Sequence, residues 1–169
     1  AERWAERLRG WAQRCSALIV APAGADRASK LLGVPRDELI VLQNGVDVEL
    51  FKPRDVDRFR FWHETLVQTP RGSAPREPAG SVPYRDDEVA LLEAATVLVY
   101  VGRFTAVKRL DLLISAFARV ERAAPRSAAL VLVGGHPGEW EGEHPAETVA
   151  RLKVPSVFLA GWRSHEEIP

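Results

Sequence analysis

From Asp86 onward the chain alternates short apolar runs with amphipathic stretches, and this alternation constrains the fold more than any other feature. Val97-Leu98-Val99-Tyr100-Val101 is a continuous apolar run of strand length. Leu110, Leu113, Ile114 and Phe117 follow at helical spacing, so residues 110–120 read as an amphipathic helix. Ala129-Leu130-Val131-Leu132-Val133 is a second apolar run, residues 146–152 a short helix, and Val157-Phe158-Leu159-Ala160 a third strand. Ser164-His165-Glu166-Glu167 matches a capping box, with Ser164 as N-cap and Glu167 at N3. Strand, helix, strand, helix, strand predicts parallel βαβ units in a doubly wound α/β sheet. Continuous rather than alternating apolar strands predict that both sheet faces are covered. Ligands of such sheets sit outside the carboxyl ends of the strands.

The first part of the chain is less regular. Trp4, Leu8, Trp11 and Cys15 form the apolar stripe of a helix over residues 3–14. Residues 17–21 read as a strand. Residues 25–32 read as a helix stopped by Gly33, with Pro35 beyond it. Residues 39–42 form a further strand that runs into the turn dipeptide Asn44-Gly45. Residues 51–85 change texture, with Pro53, Pro70, Pro75, Pro78 and Pro83 among scattered arginines. They read as an excursion with a short aromatic helix around Phe59, Phe61 and Trp62. Residues 69–83 are expected to be its low-order centre. Residues 86–94 read as one helix.

Composition excludes several classes. No apolar run approaches the ~18 residues of a membrane-spanning helix. Lys plus Arg and Asp plus Glu both number 23. The basic excess of a nucleic-acid binder is therefore missing, and no nucleic-acid partner is expected. Cys15 is the sole cysteine, which excludes a disulfide framework or a Cys-based zinc site and fits a reducing cytoplasm. The 169 residues include no Met and open in what reads as mid-helix, so the sequence reads as a piece of a longer polypeptide.

The chemistry concentrates between the strand at 97–101 and the helix at 110. Gly102-Arg103-Phe104-Thr105-Ala106-Val107-Lys108-Arg109 lies there, at the carboxyl edge of the sheet. A helix N-terminus carries roughly half a positive charge, so each cation beside it costs about 0.3–1 kcal/mol. Arg103, Lys108 and Arg109 nevertheless cluster at this point, and Asp111 offsets only part of their charge. An anion such as a diphosphate, held by the cations and the helix amides, would resolve the conflict. Solvated side chains pointing away are the other reading. Gly134-Gly135 after the next strand would allow close backbone approach to a ligand, or make a plain left-handed turn. Gly-x-Gly-x-x-Gly and the Walker pattern are both missing after these strands. His136 and His144 flank Glu139, Glu141 and Glu143 without a firm metal-ligand spacing, so a solvated acidic loop is favoured over a metal site. Nucleophilic hydrolysis has little support, because Gly-x-Ser-x-Gly is missing and neither the serines nor Cys15 have a recognisable base partner.

Several segments taken in order resemble the glycosyl transferases group 1. Val41-Leu42-Gln43-Asn44-Gly45-Val46-Asp47 through Phe51-Lys52-Pro53 resembles that family's Asn-Gly-Val-Asp…Phe-x-Pro signature. Val99-Tyr100-Val101-Gly102-Arg103 through Lys108 to Leu113-Ile114-Ser115-Ala116-Phe117 resembles its Val-Gly-Arg…Lys…Leu-Ile-x-Ala-Phe block. Residues 130–135 and 157–169 resemble its later strands and base-binding loop. The resemblance implies a GT-B architecture of two Rossmann-like domains. Residues 1–43 would be the end of the N-terminal acceptor domain and crossover. Residues 44–169 would be the first part of the C-terminal donor domain, with an excursion at about 54–85.

The resemblance also implies a retaining hexosyltransferase that draws on a nucleotide-diphosphate sugar. Arg103 and Lys108 would stabilise the leaving diphosphate. Gly102, Gly134 and Gly135 would lie against the donor, and Gly161, Trp162 and Arg163 would meet the nucleotide base. No cofactor or metal is expected. The acceptor is unspecified, and peripheral membrane association of the full-length protein is compatible with the resemblance. Two departures stand out: Arg109 replaces the family's Gly after its Lys, and the family's Glu-x7-Glu donor motif is expected beyond Pro169. The chain alone is accordingly expected to be inactive. A nucleotide-sugar epimerase of similar architecture and a non-catalytic nucleotide-binding module are the alternatives.

Overall fold

The computed structural model describes residues 2–68, 84–135 and 140–168. The expected low-order centre at 69–83 lies outside the described residues, as do His136 and Glu139. The chain forms two compact units, Ala1–Lys52 and Pro53–Pro169.

In the first unit, helix α1 spans Glu2–Ala12 and α2 spans Ala25–Leu32. Strands β1 (Ile19–Val20) and β2 (Ile40–Val41) pair in parallel, Ile19 opposite Ile40. Helix α2 therefore serves as the crossover of a small βαβ unit. Its end is dictated locally. Gly33 takes φ 68°, a left-handed C-cap, and its amide donates to Ser29 O.

The second unit is built on a parallel sheet of order β3-β4-β5, comprising Thr96–Val101, Ala128–Val133 and Val157–Gly161. Helices α6 (Leu110–Ala123) and α7 (Pro145–Leu152) are the crossovers. They cover one sheet face, where Leu110, Ile114 and Phe117 pack against Leu130, Leu132 and Leu159. This is a mixed α/β, Rossmann-like arrangement. Strand β4 lies between its neighbours and is buried almost throughout, as its uninterrupted apolar run requires.

Residues upstream of β3 cover the other face. Helix α3 (Arg58–His63) continues into a π-helical turn, Glu64–Gln68. Two short helices, α4 (Asp86–Val89) and α5 (Leu91–Ala94), replace the single helix expected over 86–94, the break falling at Ala90. Leu66, Val89 and Leu92 are buried there against Ala129, Val131 and Phe158. The Arg58 guanidinium donates to Leu92 O and Ala95 O, at 3.0 and 2.8 Å, and so closes the end of α5. The flanks of the excursion are thus part of the core.

Strand β3 differs from expectation in another respect. Leu98, Val99 and Val101 stay about half exposed, because the elements described on the two sheet faces cover β3 less fully than β4 and β5, and β5 is buried throughout although it too borders the sheet. A continuous apolar run specifies two sheet faces fit for burial, and here they are only partly covered.

Candidate functional site

The carboxyl ends of β3, β4 and β5 meet at one edge of the sheet, and three loops leave from it. After β3 the chain is held tightly. Gly102 N–H donates to Val133 O at 3.0 Å, and the Tyr100 hydroxyl donates to Arg103 O at 2.9 Å. Partial burial raises the Tyr100 pKa above the usual phenol value, so the hydroxyl stays a donor. Ala106–Lys108 then form a 3-10 turn, and Arg109 at φ 50° is the N-cap of α6. Arg109 thus holds a left-handed backbone, a conformation costing a non-glycine residue about 1–2 kcal/mol.

The three cations of this loop divide in two. Arg109 forms an exposed bidentate pair with Asp111, both contacts at 3.2 Å, which holds the Asp111 carboxyl below its ordinary range. Among the described residues, Arg103 and Lys108 have no side-chain partner of this kind. Lys108 therefore stands just before the first turn of a fourteen-residue helix and Arg103 at the β3 end of the same loop, neither with a side-chain counter-ion among the described residues. That is the arrangement in which a bound anion lowers the electrostatic energy.

The glycines after β4 are required by their own chain. Gly135 has φ 81°, and a Cβ there would stand 2.5 Å from the Phe104 ring. A Cβ at Gly134 would collide with the Gly102 carbonyl oxygen. These residues let the β3 and β4 loops touch, which brings the first half of the site into one place.

Strand β5 ends on a bulge. Leu132 pairs with Leu159, but Val133 pairs with Gly161, so Ala160 is the extra residue. Gly134 N–H donates to Gly161 O at 2.9 Å. Beyond it, Ser164 and Glu167 make the predicted capping box around a 3-10 turn, His165–Glu167.

A cavity of about 250 Å³ opens over this edge. Gly102, Arg103, Gly134, Gly135, Trp162 and Arg163 line it, together with Val101, Val133, His165 and Ile168. Gly161 lies alongside, joined to Gly134. Lys108 does not line the cavity and sits at the α6 end of the loop. The Arg163 guanidinium turns away from solvent, with its side chain only 9% exposed, and donates to Thr65 O at 2.7 Å. Sequence reasoning missed Thr65 and Tyr84, whose hydroxyl accepts from Leu159 N at 2.8 Å. A larger groove of about 560 Å³ adjoins the cavity and shares Val101, Val133, Arg163 and Ile168 with it.

The acidic loop before α7 is structural where it is described. Glu141 accepts from Ala106 N, and Glu143 accepts from Thr148 Oγ1 and Arg151. His144 is buried rather than solvated. Its Nδ1 accepts from Ala146 N as the N-cap of α7, and its ring lies between those of Phe104 and Trp140. Burial lowers its pKa, consistent with the neutral form that this acceptor role demands. Among the described residues no three His, Cys, Asp or Glu side chains group as metal ligands, and no described helix is long and apolar enough to cross a membrane.

Residues 85–169 match the family model of glycosyl transferases group 1. The chain belongs to the glycosyl transferases group 1. No curated protein matches it significantly. The family model covers β3, β4, β5 and every site residue from Gly102 to Arg163, while the Asn44-Gly45-Val46-Asp47 segment lies upstream of it. Membership assigns the chain a general role in glycosyl transfer, with a donor and an acceptor as substrates.

Proposed function

We propose that this chain carries the donor-diphosphate site of a retaining GT-B hexosyltransferase. The carrying observation is the two cations of the loop between β3 and α6, Arg103 and Lys108, which have no side-chain partner among the described residues. In the reaction the bond between the sugar's anomeric carbon and the diphosphate oxygen breaks, and the bonding electrons leave with the diphosphate. An acceptor hydroxyl oxygen forms the new bond on the same face of the sugar, and its proton passes to the departing diphosphate. Negative charge grows on the leaving group, and preorganised cations and amides stabilise it more in the transition state than in the ground state. In this reading Arg103 and Lys108 supply the neutralisation themselves, so no metal is called for.

The loops at the strand ends suit the rest of the donor. Gly102, Gly134 and Gly135 line the cavity, and Trp162 and Arg163 line it from the loop after Gly161, where the base would lie. Calorimetric titration of a nucleoside diphosphate into the chain tests the reading. Saturable binding that weakens steeply with added salt is expected. Binding of the nucleoside alone as tightly as its diphosphate would contradict it.

A further inference from the structure

The two described flanks of the excursion reach the end of β5 at separate points. Tyr84 contributes the first. Strand β5 borders the sheet, and its Leu159 amide donates to the Tyr84 hydroxyl across a sequence separation of 75. The Tyr84 ring lies 5.2 Å from that of Phe158, which fixes the hydroxyl's position. The bulge at Ala160 follows at once, and Gly161 (φ 75°) leads into Trp162, which lines the cavity. Arg163 contributes the second point. Its guanidinium returns inward to Thr65 O, across a separation of 98, while Glu167 lies 4.0 Å away.

Thr65 sits in the π-helical turn Glu64–Gln68. A π turn takes one residue more than an α turn and displaces its carbonyls from the regular ladder, and such turns recur at functional sites. The Arg163 side chain is largely enclosed and its guanidinium donates to backbone at Thr65 O. What faces the cavity is the loop it anchors.

We infer that Arg163 and Tyr84 are positioning residues, which clamp the Gly161-Trp162-Arg163 backbone to the excursion and so set the fit for the base of a nucleotide. This rests on the nucleotide reading above. The excursion, which has no role in the sequence reading, becomes an element that determines specificity. Anchorage at two points restrains a loop that follows a bulge, where the ladder is locally disrupted.

The test compares Tyr84→Phe, Arg163→Lys and Arg163→Ala with the parent chain in two measurements. Hydrogen exchange at the amides of residues 161–164 should accelerate about tenfold or more in Tyr84→Phe and Arg163→Ala, with β4 amides unchanged. Affinity for a nucleoside diphosphate should fall about tenfold, the worth of one lost anchoring bond, while affinity for inorganic pyrophosphate holds. Arg163→Lys keeps one donor and should retain more nucleotide affinity than Arg163→Ala. Unchanged exchange in the loop overturns the inference. An equal fall for nucleotide and pyrophosphate also overturns it, because that marks general loss of structure. If the parent binds neither ligand, the donor reading fails, and the exchange data alone decide whether the clamp exists.

Discussion

Gly135→Ala should destabilise the second unit strongly in the absence of any ligand. The native backbone at this position is left-handed, at φ 81°. Alanine there costs about 1–2 kcal/mol for the backbone alone. The new methyl would stand 2.5 Å from the Phe104 ring, which is 3% exposed and cannot swing into solvent. Shifting a packed core side chain to admit an extra methyl adds about 1–3 kcal/mol. The sum, about 2–5 kcal/mol, is a large share of the 5–15 kcal/mol that typically holds a domain together. Gly142→Ala is the matched control. Gly142 has a similar φ of 77°, yet a Cβ there meets nothing within 4 Å. That variant should lose only the backbone contribution. Guanidinium unfolding, followed by tryptophan fluorescence, gives both values from the midpoint shift at constant slope. A Gly135→Ala loss no greater than that of Gly142→Ala would show that contact with Phe104 does not determine this residue.

Stability should also depend on pH through His144. Its pKa in the folded chain lies below the ordinary histidine value because burial disfavours the charged ring. The unfolded state therefore binds the proton more readily. The stability His144 contributes is complete above the ordinary histidine pKa and is lost as pH falls from there through the lowered folded value. His144→Asn keeps a capping acceptor without a titrating group and should flatten that part of the profile, as urea midpoints at pH 5 and pH 7.5 would reveal. Arg58→Ala removes two bonds from a charged donor to the end of α5 and should cost about 1.5–3 kcal/mol, read from thermal unfolding. An unchanged melting temperature would show that Leu92 O and Ala95 O are satisfied without it.

What could be read in advance follows from the range of each interaction. Helix α2 ends where Gly33 and Pro35 say it should, because a left-handed cap is encoded within a few residues. The capping box at Ser164 and the buried face of α6 are local in the same sense. The cation loop was legible because strand, loop and helix follow one another directly. The excursion was opaque for the opposite reason. Arg58, Tyr84 and Arg163 find their partners 34 to 98 residues away. No periodicity marks a π turn, and composition reads such a stretch as a loop. His144 misled for a related reason. Its acidic neighbours suggest solvent, while the aromatic rings that bury it come from Phe104 and Trp140. Nor does apolarity along β3 reveal that the strand ends up on an edge.

The central claim is that Arg103 and Lys108 hold a diphosphate, and removing one charge at a time tests it most directly. Calorimetric titration of a nucleoside diphosphate would compare the parent with Lys108→Ala, Arg103→Ala and Arg119→Ala. Arg119 is an exposed cation of α6, away from the helix's amino end. Charge-assisted contacts contribute about 1.5–3 kcal/mol each, so Lys108→Ala and Arg103→Ala should each weaken binding by roughly one to two powers of ten. Arg119→Ala should bind as the parent does. Parent-like affinity in Lys108→Ala and Arg103→Ala would contradict the account and leave both side chains as solvated cations.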